Sequence, residues 1–138
     1  PQQLYDQPDN KFVADFIGDS TFLDVQRDGD TCLVGGTPLK TTRPVPPGDS
    51  LSLMMRPERI HLIEGAPAPD DNVFEATVSD LVYQGESFLL YAHIRNGPEV
   101  AVRGAIRGDT YGRLPKPGAT VRLGLHAADA VIIADGGQ

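Results

Sequence analysis

The sequence predicts an all-β protein of small barrels built from a duplicated unit of about five strands, with a short helix before them. Glycine (15) and proline (12) make up nearly a fifth of the 138 residues, and this share favours many short strands over a helical bundle. Hydrophobic residues make up 40% of the chain, enough for a packed core. A pattern of turn and strand also occurs twice along the chain, which indicates a duplication.

The predicted helix lies within residues 1–18. Asp9 is placed to be its N-cap and Gly18 its stop. Between them, four large apolar side chains follow the spacing of one helical face: Phe12, Val13, Phe16 and Ile17. So short a helix cannot bury this face by itself, and we expect it to pack on the following β region or on a second chain.

The repeated pattern begins with a Pro-Gly turn and an alternating strand. Pro47-Gly48 and the strand after it align with Pro117-Gly118 and its strand at an offset of 70, and a short kink and a closing apolar strand follow both. The Asp28-Gly29 and Asn96-Gly97 turns also align, at an offset of 68. Residues 65–71 resemble a linker. The predicted organisation is therefore a helical segment at 1–18 and a β region at 19–138, with repeats at about 19–64 and 72–134.

Charge and composition exclude several functions. The formal net charge of −7 disfavours nucleic-acid binding, because neutralising phosphates supplies most of that affinity. One cysteine permits neither an internal disulfide nor a multi-cysteine zinc site. The sequence has no apolar run near the ~20 residues of a membrane span. It also lacks the phosphate loop and the signature motif of an ATPase, so no catalytic residue is assigned.

Several motifs resemble the C-terminal transport-associated OB (TOBE) region of ABC-importer ATP-binding subunits, of the polyamine, sugar, iron and sulfate importer type. The segment from Leu4 to Gly18 resembles the form L-Y-x-x-P…F-V-A-x-F-I-G. Arg56-Pro57-Glu58 resembles the family's R-P-E element, and Val82-Tyr83-Gln84-Gly85 its turn before a tyrosine-containing strand. The resemblance covers essentially the whole chain.

The resemblance implies OB-like β-barrels and a regulatory and dimerising role without catalysis. It implies an ATPase domain in cis before Pro1, a homodimer, and importer permease subunits as partners, with a small regulatory ligand left open. It implies a cytoplasmic position, peripheral on the inner face of the cell membrane through the permease. ATP and Mg are expected in the missing ATPase domain, and no cofactor in this chain. The family's repeats can interleave, so strands near residues 20–33 are expected to complete a barrel with the second half.

Candidate interface residues come from the helix, the R-P-E element and the aromatic set: Phe12, Phe16, Arg56, Glu58, Tyr83, Phe88 and Tyr91. For Arg56 and Glu58, docking by charge pairing and a plain strand end at Pro57 are equally good interpretations. For the aromatic residues, the acidic net charge favours core or inter-barrel packing over the stacking of bases.

Four basic residues form the candidate anion site: Arg103, Arg107, Arg113 and Lys116. A dispersed, solvated set of charges is the favoured interpretation of this stretch. An oxyanion-binding module is nevertheless the alternative function, because the second half of the chain also resembles small molybdate-binding barrels. Alanines at 127 and 128, where those barrels typically have serine, count against molybdate.

The three histidines, His61, His93 and His126, are far apart in the sequence and show no paired spacing. No metal site is therefore predicted. Cys32 lies in an apolar strand and is interpreted as a core residue.

Overall fold

The computed structural model describes residues 20–108 and 112–134, and this part of the chain forms ten β-strands. The predicted N-terminal helix, with Phe12 and Phe16, lies outside the described residues. The strands are β1 (Thr21–Asp28), β2 (Thr31–Val34), β3 (Thr37–Pro38), β4 (Leu51–Met55), β5 (Ile60–Leu62), β6 (Asp71–Gln84), β7 (Ser87–Ile94), β8 (Glu99–Ala105), β9 (Thr120–His126) and β10 (Val131–Ala134). The prediction of an all-β fold is confirmed.

The strands form two five-stranded sheets, and each half of the chain gives one strand to the other half's sheet. The first sheet has the order β10-β4-β1-β2-β3 and the second β5-β9-β6-β7-β8. All these pairings are antiparallel. The two halves therefore interleave through β5 and β10, while β1 and β2 stay in the sheet of β4.

The two exchanged strands obey one internal symmetry. His61 of β5 pairs with Gly124 of β9, and Val131 of β10 pairs with Met54 of β4. Adding the offset of 70 to His61 gives Val131, and subtracting it from Gly124 gives Met54. The duplication predicted from the sequence is therefore confirmed in the pairing of the strands.

Two short 3₁₀ turns, at Pro57–Arg59 and Ala127–Asp129, lead into the exchanged strands. Arg59 and Asp129 occupy equivalent positions in the two halves, and they meet in an ion pair of 3.3 Å between Nη1 and Oδ1. This contact ties the two crossover points to each other.

One core fills the space between the sheets. It takes Leu51, Leu53 and Met55 from the inner face of β4 and Leu123 and Leu125 from β9, all at most 2% exposed. A second, smaller apolar cluster lies on the outer face of the first sheet and consists of Met54, Val131 and Ile133, with Phe22 packed beside it. No helix within the described residues is long and apolar enough to cross a membrane.

Candidate functional site

The second sheet places three polar side chains together on its outer face, at the end where β5, β9 and β6 meet. His61 pairs with Gly124, and Asp71 pairs with His126. Because alternate residues of a strand share a face, His126 lies on the same face as Gly124, which puts His61, Asp71 and His126 side by side. We call them the His-Asp-His cluster. The exchange of β5 into this sheet brings in His61, from the other half of the chain.

Asp71 is the centre of the cluster and is only 5% exposed. Its Oδ2 accepts a hydrogen bond from the Ala68 backbone N–H at 3.0 Å and lies 3.4 Å from His61 Nε2. Its Oδ1 lies 2.8 Å from His126 Nδ1. Burial raises the pKa of the Asp71 carboxyl. The Ala68 N–H and the neighbouring His61 and His126 lower this pKa by more than burial raises it, so the pKa lies below its ordinary value.

The two imidazole rings stack on each other, with centroids 4.7 Å apart and planes inclined by 26°. Gly124 makes room for them. A side chain at this position would collide with the His61 ring, where a Cβ would lie 2.7 Å from Cε1. Asp70, which is exposed, brings a second carboxylate within 3.9 Å of His126 Nδ1.

The sequence spacing of the histidines gave no sign of this cluster, because the contact depends on the pairing of β5 with β9 across 65 residues. The signals that could have found it are the register implied by the repeat and the glycine opposite His61. His93 lies apart from the cluster, on β7, where Nδ1 is 3.8 Å from Glu99 Oε2. Cys32 is buried, as predicted.

The predicted interface residues fall in several places. Arg56 is 2% exposed at the end of β4, whereas Glu58 is exposed in the first 3₁₀ turn. Phe88 belongs to the core and packs against Gly104, while Tyr83 is 38% exposed near the tip of the β6–β7 hairpin. Tyr91 is half-buried and faces outward, beside Arg103. These residues therefore do not form one continuous surface.

Tyr91 does take part in a smaller patch on the outer face of β6, β7 and β8. Val82 pairs with Leu89, Leu89 with Arg103, and Tyr91 with Ala101. A shallow cleft of about 270 Å³ is lined by Leu89, Tyr91, Ala101 and Arg103. We call Val82, Leu89, Tyr91, Ala101 and Arg103 the outer patch. The middle of the outer patch is apolar, with Leu89 only 9% exposed. Arg103 lies at one side, and Glu99 also lines the cleft.

The four predicted anion-site residues are all exposed. Arg103 lies at the outer patch, whereas Arg113 lines a different and larger cleft of about 610 Å³. Arg122 and Thr120 also line the larger cleft, but so do Glu64 and Glu75. Carboxylates beside the basic groups weaken the attraction for an anion.

Comparisons with known proteins agree with this architecture. The family described as TOBE domain matches residues 53–133. Among solved structures, the cytoplasmic molybdate-binding protein ModG has a similar fold, with a TM-score of 0.65 over 83% of this chain and 95% of that one, at 14% identity. Both findings define the class as an OB-like β domain, and the chain belongs to the TOBE domain family.

Curated relatives are ATP-binding proteins of importers. The chain is 32% identical over 130 residues to sulfate/thiosulfate import ATP-binding protein CysA 2 of Chromobacterium violaceum, covering 93% of this chain and 35% of the relative. It is 31% identical over 144 residues to spermidine/putrescine import ATP-binding protein PotA of Roseobacter denitrificans, covering 97% and 39%. The chain thus spans about a third of the length of these relatives, and its family is that of the TOBE domain and not of the ATPase domain.

Proposed function

We propose that this chain is the regulatory and dimerisation domain of the ATP-binding subunit of an ABC importer for a small solute. The match to the TOBE family over residues 53–133 carries the proposal. In this proposal the domain follows an ATPase domain, which binds ATP and Mg. The subunit associates with permease subunits at the inner face of the membrane, and the TOBE domain itself catalyses no reaction.

The outer patch is the proposed contact between two copies. Val82 is an exposed apolar residue on this patch, and an apolar contact surface suits a chain whose net charge of −7 opposes close approach of two copies. Arg103 at its side offsets part of that repulsion. A two-fold contact would place the same patch of each copy against the other.

Sedimentation equilibrium of the chain and two variants tests this contact. Val82→Asp introduces a charge into the patch, and we expect it to weaken the dimer at least about tenfold. Val73→Asp is the matched control, because Val73 is an equally exposed valine of the same strand, nine positions and about 30 Å away along the strand. The control should associate like the unchanged chain. A strict monomer up to millimolar concentration, or equal effects of both variants, would refute the contact.

An oxyanion-binding function is the second candidate. Arg113, Arg122 and Thr120 of the larger cleft are its candidate ligands, and Glu64 and Glu75 in the same cleft oppose it. ModG, which is described as molybdate-binding, has a similar fold, so molybdate and sulfate are the anions to try. Isothermal titration of the chain, with Arg113→Ala as the variant and Arg107→Ala as the control, tests the idea. Heat of binding that Arg113→Ala abolishes would support it, and no heat with either anion would refute it.

A further inference from the structure

We propose that the His-Asp-His cluster is a zinc-binding site. His61 Nε2, a carboxylate oxygen of Asp71 and His126 Nδ1 all lie within 4.8 Å of one another. Zinc binds imidazole nitrogen and carboxylate oxygen at about 2.0–2.2 Å in a tetrahedron, so its ligand atoms lie about 3.3 Å apart. His61 Nε2 lies 3.4 Å from Asp71 Oδ2, and His126 Nδ1 lies 2.8 Å from Asp71 Oδ1. One ion could therefore bind both histidines and one of these two oxygens after small movements of the side chains.

The three groups suit a cation because they offer a buried carboxylate oxygen and two imidazole nitrogens close together. Asp71 Oδ1 is buried, and no hydrogen bond with good geometry reaches it, although His126 Nδ1 is 2.8 Å away. An imidazole nitrogen that carries no proton has a lone pair that it can donate to a metal ion. A zinc ion would bind that lone pair and neutralise the buried carboxylate at the same time.

The fold itself does not require a pair of histidines here, as the other half of the chain demonstrates. The offset of 70 relates His61 to Val131, Gly124 to Met54 and His126 to Arg56. At that equivalent place on the first sheet, Val131 and Met54 belong to the second apolar cluster. The architecture therefore does not need a pair of histidines at this place, although the counterpart of His126 is the buried Arg56. The two histidines beside Asp71 at the second sheet need a different explanation.

A zinc ion at this place would join the two halves of the chain. His61 comes from β5, the strand that the first half gives to the second sheet, whereas Asp71 and His126 belong to β6 and β9. Zinc would hold the exchanged strand in its sheet, and exposed Asp70 or water would complete the four ligands. We therefore expect zinc binding to raise the stability of the whole fold.

Calorimetry and thermal unfolding of the chain, stripped with a chelator and then titrated with ZnCl₂, test the site. We expect one zinc per chain and a rise of about 5 °C or more in Tm at large excess over Kd. Cobalt is the spectroscopic probe, because tetrahedral Co²⁺ absorbs intensely in the visible range. His61→Ala and His126→Ala should each weaken zinc binding at least about tenfold. Both histidines are partly exposed, so these variants should fold.

His93→Ala is the matched control, because His93 is an exposed histidine of the same sheet outside the cluster. It should bind zinc like the unchanged chain. Gly124→Ala should weaken zinc binding by displacing the His61 ring, with cobalt absorption as the readout. Absence of zinc binding in the unchanged chain would reduce the cluster to an ion-paired group and overturn the proposal, as would an equal loss of affinity in His93→Ala.

Discussion

Gly104 illustrates how a single hydrogen in place of a side chain shapes the second sheet. It pairs with Phe88 across β7 and β8, and a Cβ at this position would lie 2.6 Å from Cε2 and 2.7 Å from Cζ of the Phe88 ring. The ring is 7% exposed and belongs to the core, so it cannot move aside without disturbing its neighbours. The glycine is therefore required by packing, since its φ is not positive.

We predict that Gly104→Ala lowers the free energy of unfolding by about 1–3 kcal/mol, the usual cost of overpacking a core. Urea unfolding followed by circular dichroism measures the change. Gly112→Ala is the control, because nothing lies within 4 Å of a Cβ at that position, and it should change stability little. Equal stability of the two variants would mean that the Phe88 ring relaxes freely.

Asn72 is a buried amide that joins the chain after β3 to the second sheet. It accepts a hydrogen bond from Lys40 N–H at 2.7 Å and donates to the carbonyls of Lys40 at 2.8 Å and Leu125 at 3.1 Å. We predict that Asn72→Ala costs about 2–4 kcal/mol, because three hydrogen bonds are lost and backbone groups lose their partners. Hydrogen exchange of the Lys40 amide should become at least about tenfold faster.

Gln26→Ala is the comparison for Asn72→Ala, since Gln26 is an exposed polar residue on β1. It should leave both the free energy of unfolding and the Lys40 exchange rate nearly unchanged. Unchanged exchange at Lys40 in Asn72→Ala would show that the segment is held by its other contacts, among them Thr41 Oγ1 to the Ala130 carbonyl at 2.7 Å.

The exchanged strands β5 and β10 couple the two sheets. Leu53 of β4 pairs with Leu23 of β1 and with Ile132 of β10. A change that destabilises β4 therefore also destabilises β10, which comes from the second half of the chain. The core between the sheets is also common to both halves. Unfolding should therefore be a single cooperative transition.

Leu53→Ala empties a fully buried site in the first sheet. We predict that it lowers the global free energy of unfolding by about 2–5 kcal/mol and the stability of the second sheet by the same amount. Hydrogen exchange of the Leu90 amide in β7 measures this effect, and circular dichroism measures the global one. Val82→Ala, at an exposed site, should cause a much smaller change. A lower global stability with unaltered exchange at Leu90 would show that the sheets unfold separately.

The sequence predicted the strands and their duplication, since Pro-Gly turns and alternation are local signals. It aligned the Asp28-Gly29 turn with Asn96-Gly97, and this alignment is wrong. The strand order makes β1 and β2 equivalent to β6 and β7, so the counterpart of Asp28-Gly29 is the turn at Gly85. Turn residues are interchangeable in sequence, whereas the pairing partners that define equivalence are set by contacts between distant strands.

The same limit explains the candidate site. Spacing along the chain separates His61 from His126, and only the exchange of β5 places them together. The basic residues 103 to 116 are close in sequence, yet Arg103 and Arg113 line different clefts. Proximity in sequence predicts proximity in space within a helix or a hairpin, whereas β8 and β9, which follow each other along the chain, are separated by β6 and β7 in the second sheet.

The net charge of the whole molecule governs how two copies approach each other. With −7 on each chain, the long-range force between copies is repulsive, and it weakens as salt shortens the screening length from about 30 Å at about 0.01 M to about 10 Å at about 0.1 M. The proposed contact through the outer patch is mostly apolar, so the screening of the net repulsion outweighs the screening of the attraction that Arg103 contributes. Salt should therefore strengthen the dimer.

We predict that the dimer dissociation constant falls about threefold or more between about 0.01 M and about 0.1 M NaCl, as measured by sedimentation equilibrium. Arg103→Glu should weaken association more than Lys116→Glu, although both change the net charge from −7 by the same two units, because Arg103 lines the outer patch and Lys116 is exposed elsewhere. Weaker association at the higher salt would contradict an apolar contact. Equal effects of the two variants would place the contact away from Arg103, leaving net charge alone to control the approach of the two chains.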